Sequence, residues 1–220
     1  MNYYQRYALY FAPHAESDLG TFGNGWLGRE PAQDIDLPRP EISNLNANDI
    51  IAATTSPTRY GFHGTLKPPF ALKNGQGLSG LEAAVERLCA DAAPITCGPL
   101  ILKSIGQFLA LVPTEPVTPL ENLAGMLVRG LDAFREPEDA AGMNKRRSAG
   151  LTERQEDYLI AWGYPYVMEE FRFHLTLSNK LDPEQLARFE ASLRPIIAPL
   201  CDAPFQIDDI CLFGDPGNGK

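Results

Sequence analysis

The feature that most constrains the fold is a four-residue pattern, His-x-Thr-Leu, which occurs at residues 63–66 and again at residues 174–177. Each copy lies in a segment with strand composition, and each is followed by a predicted helix and then another predicted strand. The two motif-bearing halves, approximately residues 50–115 and 165–215, share this order and spacing but little sequence identity. The pattern indicates an internal duplication, and two lobes related by a pseudo-two-fold axis would bring the motif strands face to face.

Periodicity and capping residues predict the remaining elements. Helices are predicted over residues 17–26, 78–92, 116–134, 152–162 and 183–200. Strands are predicted over residues 3–12, 59–72, 95–112 (two strands), 171–181 and 205–213. Residues 29–48 are predicted to form a surface connection, and residues 136–150 a flexible charged segment.

Composition narrows the classes of function. The 220 residues include 19 Lys and Arg against 28 Asp and Glu, a formal net charge of −9. This charge disfavours an extended nucleic-acid surface, because such a surface needs a broad basic face, although a few cations can still form a local anion pocket. The chain has no apolar run of about 18 residues and no C-x-x-C spacing, and its first 13 residues lead us to expect no signal peptide. We expect a cytoplasmic monomer with reduced thiols and no membrane association.

Side-chain alternation gives each motif strand one polar face. In the first strand this face is predicted to carry Arg59, His63, Thr65 and Lys67. In the second it is predicted to carry Arg172, His174, Thr176 and Ser178. The opposite face of the second strand is wholly apolar, with Phe171, Phe173, Leu175 and Leu177. Each strand therefore presents an imidazole, a hydroxyl and one or two cations on one side.

These groups suit phosphoryl transfer without a metal. An imidazole with a pKa of about 6.5 can take a proton from an attacking hydroxyl or give one to a leaving oxygen. Each such role typically contributes about 10²–10⁴-fold in rate. Threonine hydroxyls can donate to the nonbridging phosphate oxygens, and Arg or Lys can balance their charge. The sequence has neither a metal-ligand spacing nor a phosphate-binding glycine loop, so we expect no metal and no cofactor.

The paired segments His63–Leu66 and His174–Leu177 resemble the two signature motifs of the 2H (two-histidine) phosphoesterase superfamily. The longer stretches, residues 59–67 and 162–177, resemble one bacterial branch that is named for phosphonate metabolism after operons encoding C–P lyase. Gly64 departs from the usual apolar second position of the motif.

The resemblance implies an α+β fold, with residues 1–220 forming a single bilobal domain. Two pseudo-symmetric lobes of antiparallel sheet with outer helices would enclose a central cleft. It implies that His63 and His174 are the catalytic pair, with Thr65 and Thr176 holding the phosphate. The implied substrate is a small cyclic phosphate or a nucleotide or sugar phosphodiester, and for this branch a ribose cyclic phosphate is expected.

Six further residues are predicted to contact substrate: Arg59, Tyr60, Lys67, Arg147, Tyr164 and Arg172. Each has a simpler interpretation. The cations could be solvated, the tyrosine at 164 could be packing, and the basic run at 145–147 could be an exposed charge run rather than a mobile lid.

The sequence is also compatible with two other functions. The same scaffold could process RNA ends or act as a ligase-like enzyme, which the net charge disfavours. Alternatively, the chain could bind a nucleotide or sugar phosphate without turning it over.

Overall fold

The computed structural model describes residues 4–217. The helices are α1 (Asp18–Leu27), α2 (Ala47–Thr58), α3 (Leu78–Cys89), α4 (Thr118–Gly130), α5 (Ala140–Arg147), α6 (Glu153–Trp162) and α7 (Pro183–Cys201). The strands are β1 (Arg6–Phe11), β2 (Arg29–Glu30), β3 (Ile35–Asp36), β4 (Gly64–Phe70), β5 (Ile95–Thr96), β6 (Leu100–Ile105), β7 (Phe108–Pro113), β8 (Leu175–Thr176), β9 (Gln206–Ile207) and β10 (Cys211–Asp215). None of the helices within this range is long and apolar enough to cross a bilayer.

Six strands form one antiparallel sheet in the order β10-β1-β4-β8-β7-β6. The two motif strands, β4 and β8, are hydrogen-bonded neighbours at its centre, where Gly64 pairs with Leu175. They therefore lie side by side rather than face to face. The predicted combination of helices with an antiparallel sheet is confirmed, whereas the division into two pseudo-symmetric lobes within one domain stays a prediction.

One face of the sheet forms the core. The four apolar residues predicted for the inner side of the second motif strand are at most 7% exposed: Phe171, Phe173, Leu175 and Leu177. Leu66 in the first motif strand and Phe62 in the turn before it are each 1% exposed. Helix α7 packs on β6 and β7, and α4 packs on β4. The alternation of apolar and polar residues in the sequence thus sets which side of the sheet is buried and which side carries the polar residues of the motifs.

The glycine within the first motif is required by packing across the central strand pair. A Cβ atom at Gly64 would overlap the ring of Phe173, which lies against the motif backbone. A glycine in a strand often marks such a close approach. The departure from an apolar second residue therefore follows from the aromatic side chain on the neighbouring segment.

Two segments are more ordered than predicted. Helix α2 begins after the Asn46 cap, whose side chain accepts from the backbone N–H of Asp49; it overlaps the predicted connection at residues 47–48 and continues where no element was predicted. Residues 59–63, predicted as strand, form the turn between α2 and β4. The predicted flexible segment contains α5, which is capped by Asp139. Side-chain caps satisfy the free N–H groups of a first helical turn, and both helices use one.

Candidate active site

The imidazoles of His63 and His174 are held in the same way. In each, Nδ1 lies near the backbone carbonyl two residues earlier, at 2.9 Å from Gly61 O and 2.8 Å from Arg172 O. A carbonyl oxygen only accepts hydrogen bonds, so Nδ1 carries the hydrogen in both rings. Nε2 is then the nitrogen free to exchange a proton with a substrate, which is the arrangement that general acid–base catalysis needs.

His63 lies in an aromatic environment. Its ring stacks on Tyr10, with centroids 3.7 Å apart and planes 18° from parallel, and Phe213 lies 6.1 Å away. Burial is the main cause that lowers the pKa of His63 to about 4, the charge of His174 adds to this, and the bond to Gly61 opposes it. At pH 7 this ring is therefore neutral, and its Nε2 lone pair can accept a proton.

A cavity of about 460 Å³ opens beside His63. Both motif threonines, Thr65 and Thr176, line it together with His63. His174 adjoins it through Phe108, a lining residue whose ring centroid is 5.8 Å from that of the imidazole. The volume suits a small ligand. The rest of the lining is Tyr10, Ser56, Pro57, Tyr60, Gly61, Pro69, Ser178, Asn179 and Lys180.

Strand register shows which other side chains share this face. Tyr10 of β1 lies opposite Thr65, and Ala110 of β7 lies opposite both Thr176 and Lys103 of β6. Residues directly opposite in antiparallel strands point to the same side. Tyr10 and Lys103 therefore join the polar face, although neither was identified from the sequence. Their strands are distant in the chain, and only the pairing of the sheet reveals them.

Lys67 does not share this face, and its predicted placement beside His63 is wrong. Tyr10 pairs with Thr65, but its neighbour Leu9 pairs with Lys67, so β4 has one extra residue at this point. Such a bulge reverses the direction of the following side chain. Lys67 is 2% exposed, and its ammonium group donates to the carbonyl of Val128 in α4 at 3.2 Å.

Arg59 and Tyr60 lie on the turn before the first motif. Tyr60 lines the cavity beside His63 and also an adjoining cavity of about 320 Å³. Arg59 lines the adjoining cavity, with its guanidinium 5.6 Å from the centroid of the Tyr60 ring. Tyr60 therefore lies in the lining of the same cavity as His63, whereas Arg59 lines the adjoining cavity.

The other predicted contacts are spread over different surroundings. Arg172 donates to the carbonyls of Glu169 and Phe171, at 2.8 and 2.6 Å, and lines a separate cavity of about 600 Å³. Arg147 ends α5 and pairs with Glu156 at 2.6 Å, so the structure does not bring it to the His63 cavity. The segment that carries it is a helix rather than the predicted flexible stretch.

Tyr164 lines a third cavity, of about 340 Å³, together with Lys67. The guanidinium of Arg146 lies 4.8 Å from its ring centroid, and Tyr166 packs edge-on at 5.7 Å. Burial raises the pKa of the Tyr164 hydroxyl, and Arg146 opposes that shift. A packing role and a ligand-contact role are both compatible with this position.

Residues 65–220 match the family model described as "Protein of unknown function (DUF1045)". This match covers most of the chain. The chain belongs to the DUF1045 family.

Two curated relatives of this DUF1045 chain carry the name ribose 1,5-bisphosphate phosphokinase PhnN. The protein from Janthinobacterium sp. (strain Marseille) is 37% identical over 176 residues, which is 80% of this chain and 39% of that protein. The protein from Laribacter hongkongensis (strain HLHK9) is 33% identical over 221 residues, 97% of this chain and 49% of that protein. The DUF1045 chain thus spans less than half the length of each.

Among solved structures, Kluyveromyces marxianus Usb1 aligns with the DUF1045 chain over 96% of this chain and 94% of its own, at 11% identity and a TM-score of 0.39.

The DUF1045 chain has one group of possible metal ligands within residues 4–217. His14, Asp208 and Asp209 converge at the surface, with His14 Nε2 3.3 Å from the carboxylate of Asp208. All three side chains are exposed, as such groups commonly are without an ion. None of them lines the cavity beside His63. A metal held here would therefore lie outside the candidate active site.

Proposed function

We propose that this chain is a phosphodiesterase that opens a small cyclic phosphate with His63 and His174 as its proton-transfer groups. The observation that carries the proposal is the matched anchoring of the two imidazoles, each with Nδ1 bound to its own backbone and Nε2 free. Thr65 and Thr176 line the cavity beside them, where a phosphate would receive hydroxyl donors.

His63 serves as the base in this scheme and His174 as the acid. The lowered pKa keeps His63 neutral at pH 7, so its Nε2 can take the proton of an attacking water. The water oxygen bonds to phosphorus while one ring P–O bond breaks. The leaving oxygen receives a proton from Nε2 of protonated His174, and the two imidazoles then return to their starting states by exchange with solvent.

The threonines act on the charge that develops during this step. Negative charge builds on the two nonbridging oxygens as the fifth P–O bond forms. Hydroxyl donors from β4 and β8 approach from two adjacent strands, so Thr65 and Thr176 can each donate to a different oxygen. Donors that are fixed before the reaction need no reorganisation, which is the source of their catalytic effect.

For the substrate we favour a ribose cyclic phosphate. The cavity of about 460 Å³ accommodates a phosphorylated pentose, and the net charge of −9 offers no broad surface for a polymer. The longer relatives are named for a kinase acting on ribose 1,5-bisphosphate. Opening a 1,2-cyclic phosphate of ribose 5-phosphate at its 2-oxygen would yield that compound, so the two activities would be consecutive.

The test is hydrolysis in EDTA, followed by phosphorus NMR, of ribose 1,2-cyclic phosphate esters, 2′,3′-cyclic nucleotides and bis(p-nitrophenyl) phosphate. His63→Ala and His174→Ala should each lower kcat at least about 10²-fold. His14→Ala is the matched control, because this histidine is exposed and outside the cavity, and it should retain activity.

Activity that survives in either cavity variant would contradict the two-histidine mechanism. Turnover confined to RNA ends, with a steep dependence on salt, would favour the RNA-processing alternative. Binding of a sugar phosphate without any turnover would favour a binding module.

A further inference from the structure

The third cavity, of about 340 Å³, has a buried cation at its wall. Lys67 is 2% exposed, and its ammonium lies 4.9 Å from the ring centroid of Phe70. Among residues 4–217 the carbonyl of Val128 is the one acceptor for its three N–H groups, and no carboxylate pairs with it. Buried charges in proteins are normally paired, because removing them from water is costly.

Burial and two neighbouring charged residues set the pKa of Lys67, and with it the charge of this side chain at neutral pH. Burial lowers the pKa of Lys67 to about 8, the carboxylate of Asp132 opposes that shift, and Arg135 adds to it. Asp132 itself bonds Arg135 at 2.8 Å, so it is already engaged. At pH 7 Lys67 therefore stays mostly protonated, with donors available to an anion that enters the cavity.

The charged groups of this cavity are arranged by depth. Arg6 and Arg135 line it together with Lys67, whereas its acidic residues, Glu136, Glu138 and Asp139, are all exposed. The hydroxyl-bearing Tyr164 also lines it. The acids thus belong to the solvent side, and the cation without a carboxylate lies on the buried side.

The cavity adjoins the candidate active site. Pro69 lines the cavity beside His63 as well as that beside Lys67. Thr65 and Lys67 are two residues apart on β4, a rise of about 7 Å along a strand, although the bulge between them turns their side chains to opposite faces. Burial raises the pKa of Tyr10, which stacks on His63, and both Tyr60 and Tyr164 add to that shift. The two cavities therefore meet at Pro69, which is where a substrate would have to pass from one to the other.

We propose that the Lys67 cavity binds a second anionic group, a phosphate monoester, on the substrate whose diester lies between His63 and His174. This inference rests on the proposed function, because it assigns the other end of the same substrate. It makes Lys67 a binding residue, although its side chain leaves the face on which the sequence placed it.

The first experiment compares two substrates that differ only in this group: ribose 1,2-cyclic phosphate with and without a 5-phosphate. The wild-type protein should prefer the 5-phosphorylated form in kcat/KM by roughly 10–100-fold, the effect of a hydrogen bond between charged groups. Lys67→Met should abolish most of this preference, and Arg6→Gln, at the same cavity, should reduce it. Lys73→Met removes an exposed lysine and should keep it. An unchanged ratio in Lys67→Met would overturn the assignment.

The second experiment separates this inference from the proposed function. Ribose 5-phosphate serves as the probe in calorimetry, and inorganic phosphate serves as its competitor. Binding to wild-type protein and His63→Ala that is lost in Lys67→Met would support the subsite, even if no cyclic phosphate is hydrolysed. Hydrolysis that needs both histidines but ignores the 5-phosphate, without ribose 5-phosphate binding, would overturn the subsite and leave the phosphodiesterase proposal standing.

Discussion

Replacing Lys67 with methionine is expected to stabilise the folded protein at neutral pH. Burial lowers the pKa of this lysine from 10.5 to about 8. At ~1.4 kcal/mol per pKa unit, keeping the ammonium charged in the fold costs about 3 kcal/mol. Methionine removes that cost but also the hydrogen bond to Val128, which is worth about 1 kcal/mol. The net gain of about 2 kcal/mol should raise Tm by roughly 4–8 °C for a chain of this size.

The pH dependence supplies the sharper test. Between pH 8 and 10.5 the unfolded lysine binds more proton than the folded one, so the contribution of Lys67 to the free energy of unfolding rises with pH through this interval. The advantage of Lys67→Met should therefore be largest at pH 7 and shrink by pH 10. Urea unfolding at both pH values measures it, with Lys73→Met as the control for a lysine that is exposed.

A methionine variant that is less stable than wild type at pH 7, or an advantage that does not change with pH, would refute this reasoning. Other groups titrate over the same interval, but they are common to both proteins and cancel in the difference.

Three other substitutions test the site and its support. Gly64→Ala should destabilise by about 1–3 kcal/mol in urea unfolding, because the added methyl displaces the ring of Phe173. Tyr10→Ala should raise the pKa of His63 from about 4 towards 6.5, measured by NMR titration, since the ring loses its stacking partner and becomes hydrated; an unchanged pKa would contradict burial as its cause. Trp26→Phe should cost about 1–3 kcal/mol, because it leaves a buried carbonyl without its indole donor; a neutral result would indicate that water replaces the donor.

Helices with strong local signals were predicted closely from the sequence. The predicted helix at residues 152–162 appears as Glu153–Trp162, where Thr152 and Gln155 form a capping box. The helix predicted from Pro183 begins there, with Asp182 as its cap. The capping residues and the apolar stripe of such a helix lie within a few residues of each other, so a short window of sequence is enough to predict it.

Helix α2 was missed because its support is distant in the chain. It is rich in Thr and contains Pro57 near its end, so its apolar period is weak. Asn179 holds it from a segment about half the chain away, accepting from Ser56 N and donating to Ala52 O, at 2.9 and 2.8 Å. Tertiary contacts of this kind override local propensity, and no window of sequence contains both partners.

The same distinction applies to the site. His63 and His174 were identified because their pattern repeats, and repetition is visible in a linear sequence. The contact between His63 and Tyr10 could not be identified in this way, because it depends on the pairing of β1 with β4. The orientation of Lys67 depends on a bulge in that same pairing, and period-two alternation assumes that no bulge is present.

The position of β10 has a consequence for the order of folding. This strand pairs with β1, so Arg6 lies opposite Asp215 although the two are 209 residues apart, whereas β6 and β7 pair through a short hairpin. Loop closure of this length is slow, and local pairs form first. During synthesis this edge of β1 must therefore stay unpaired until residues 211–215 have left the ribosome. Unpaired strand edges are prone to association with other chains, so this edge is where chaperone protection would matter most.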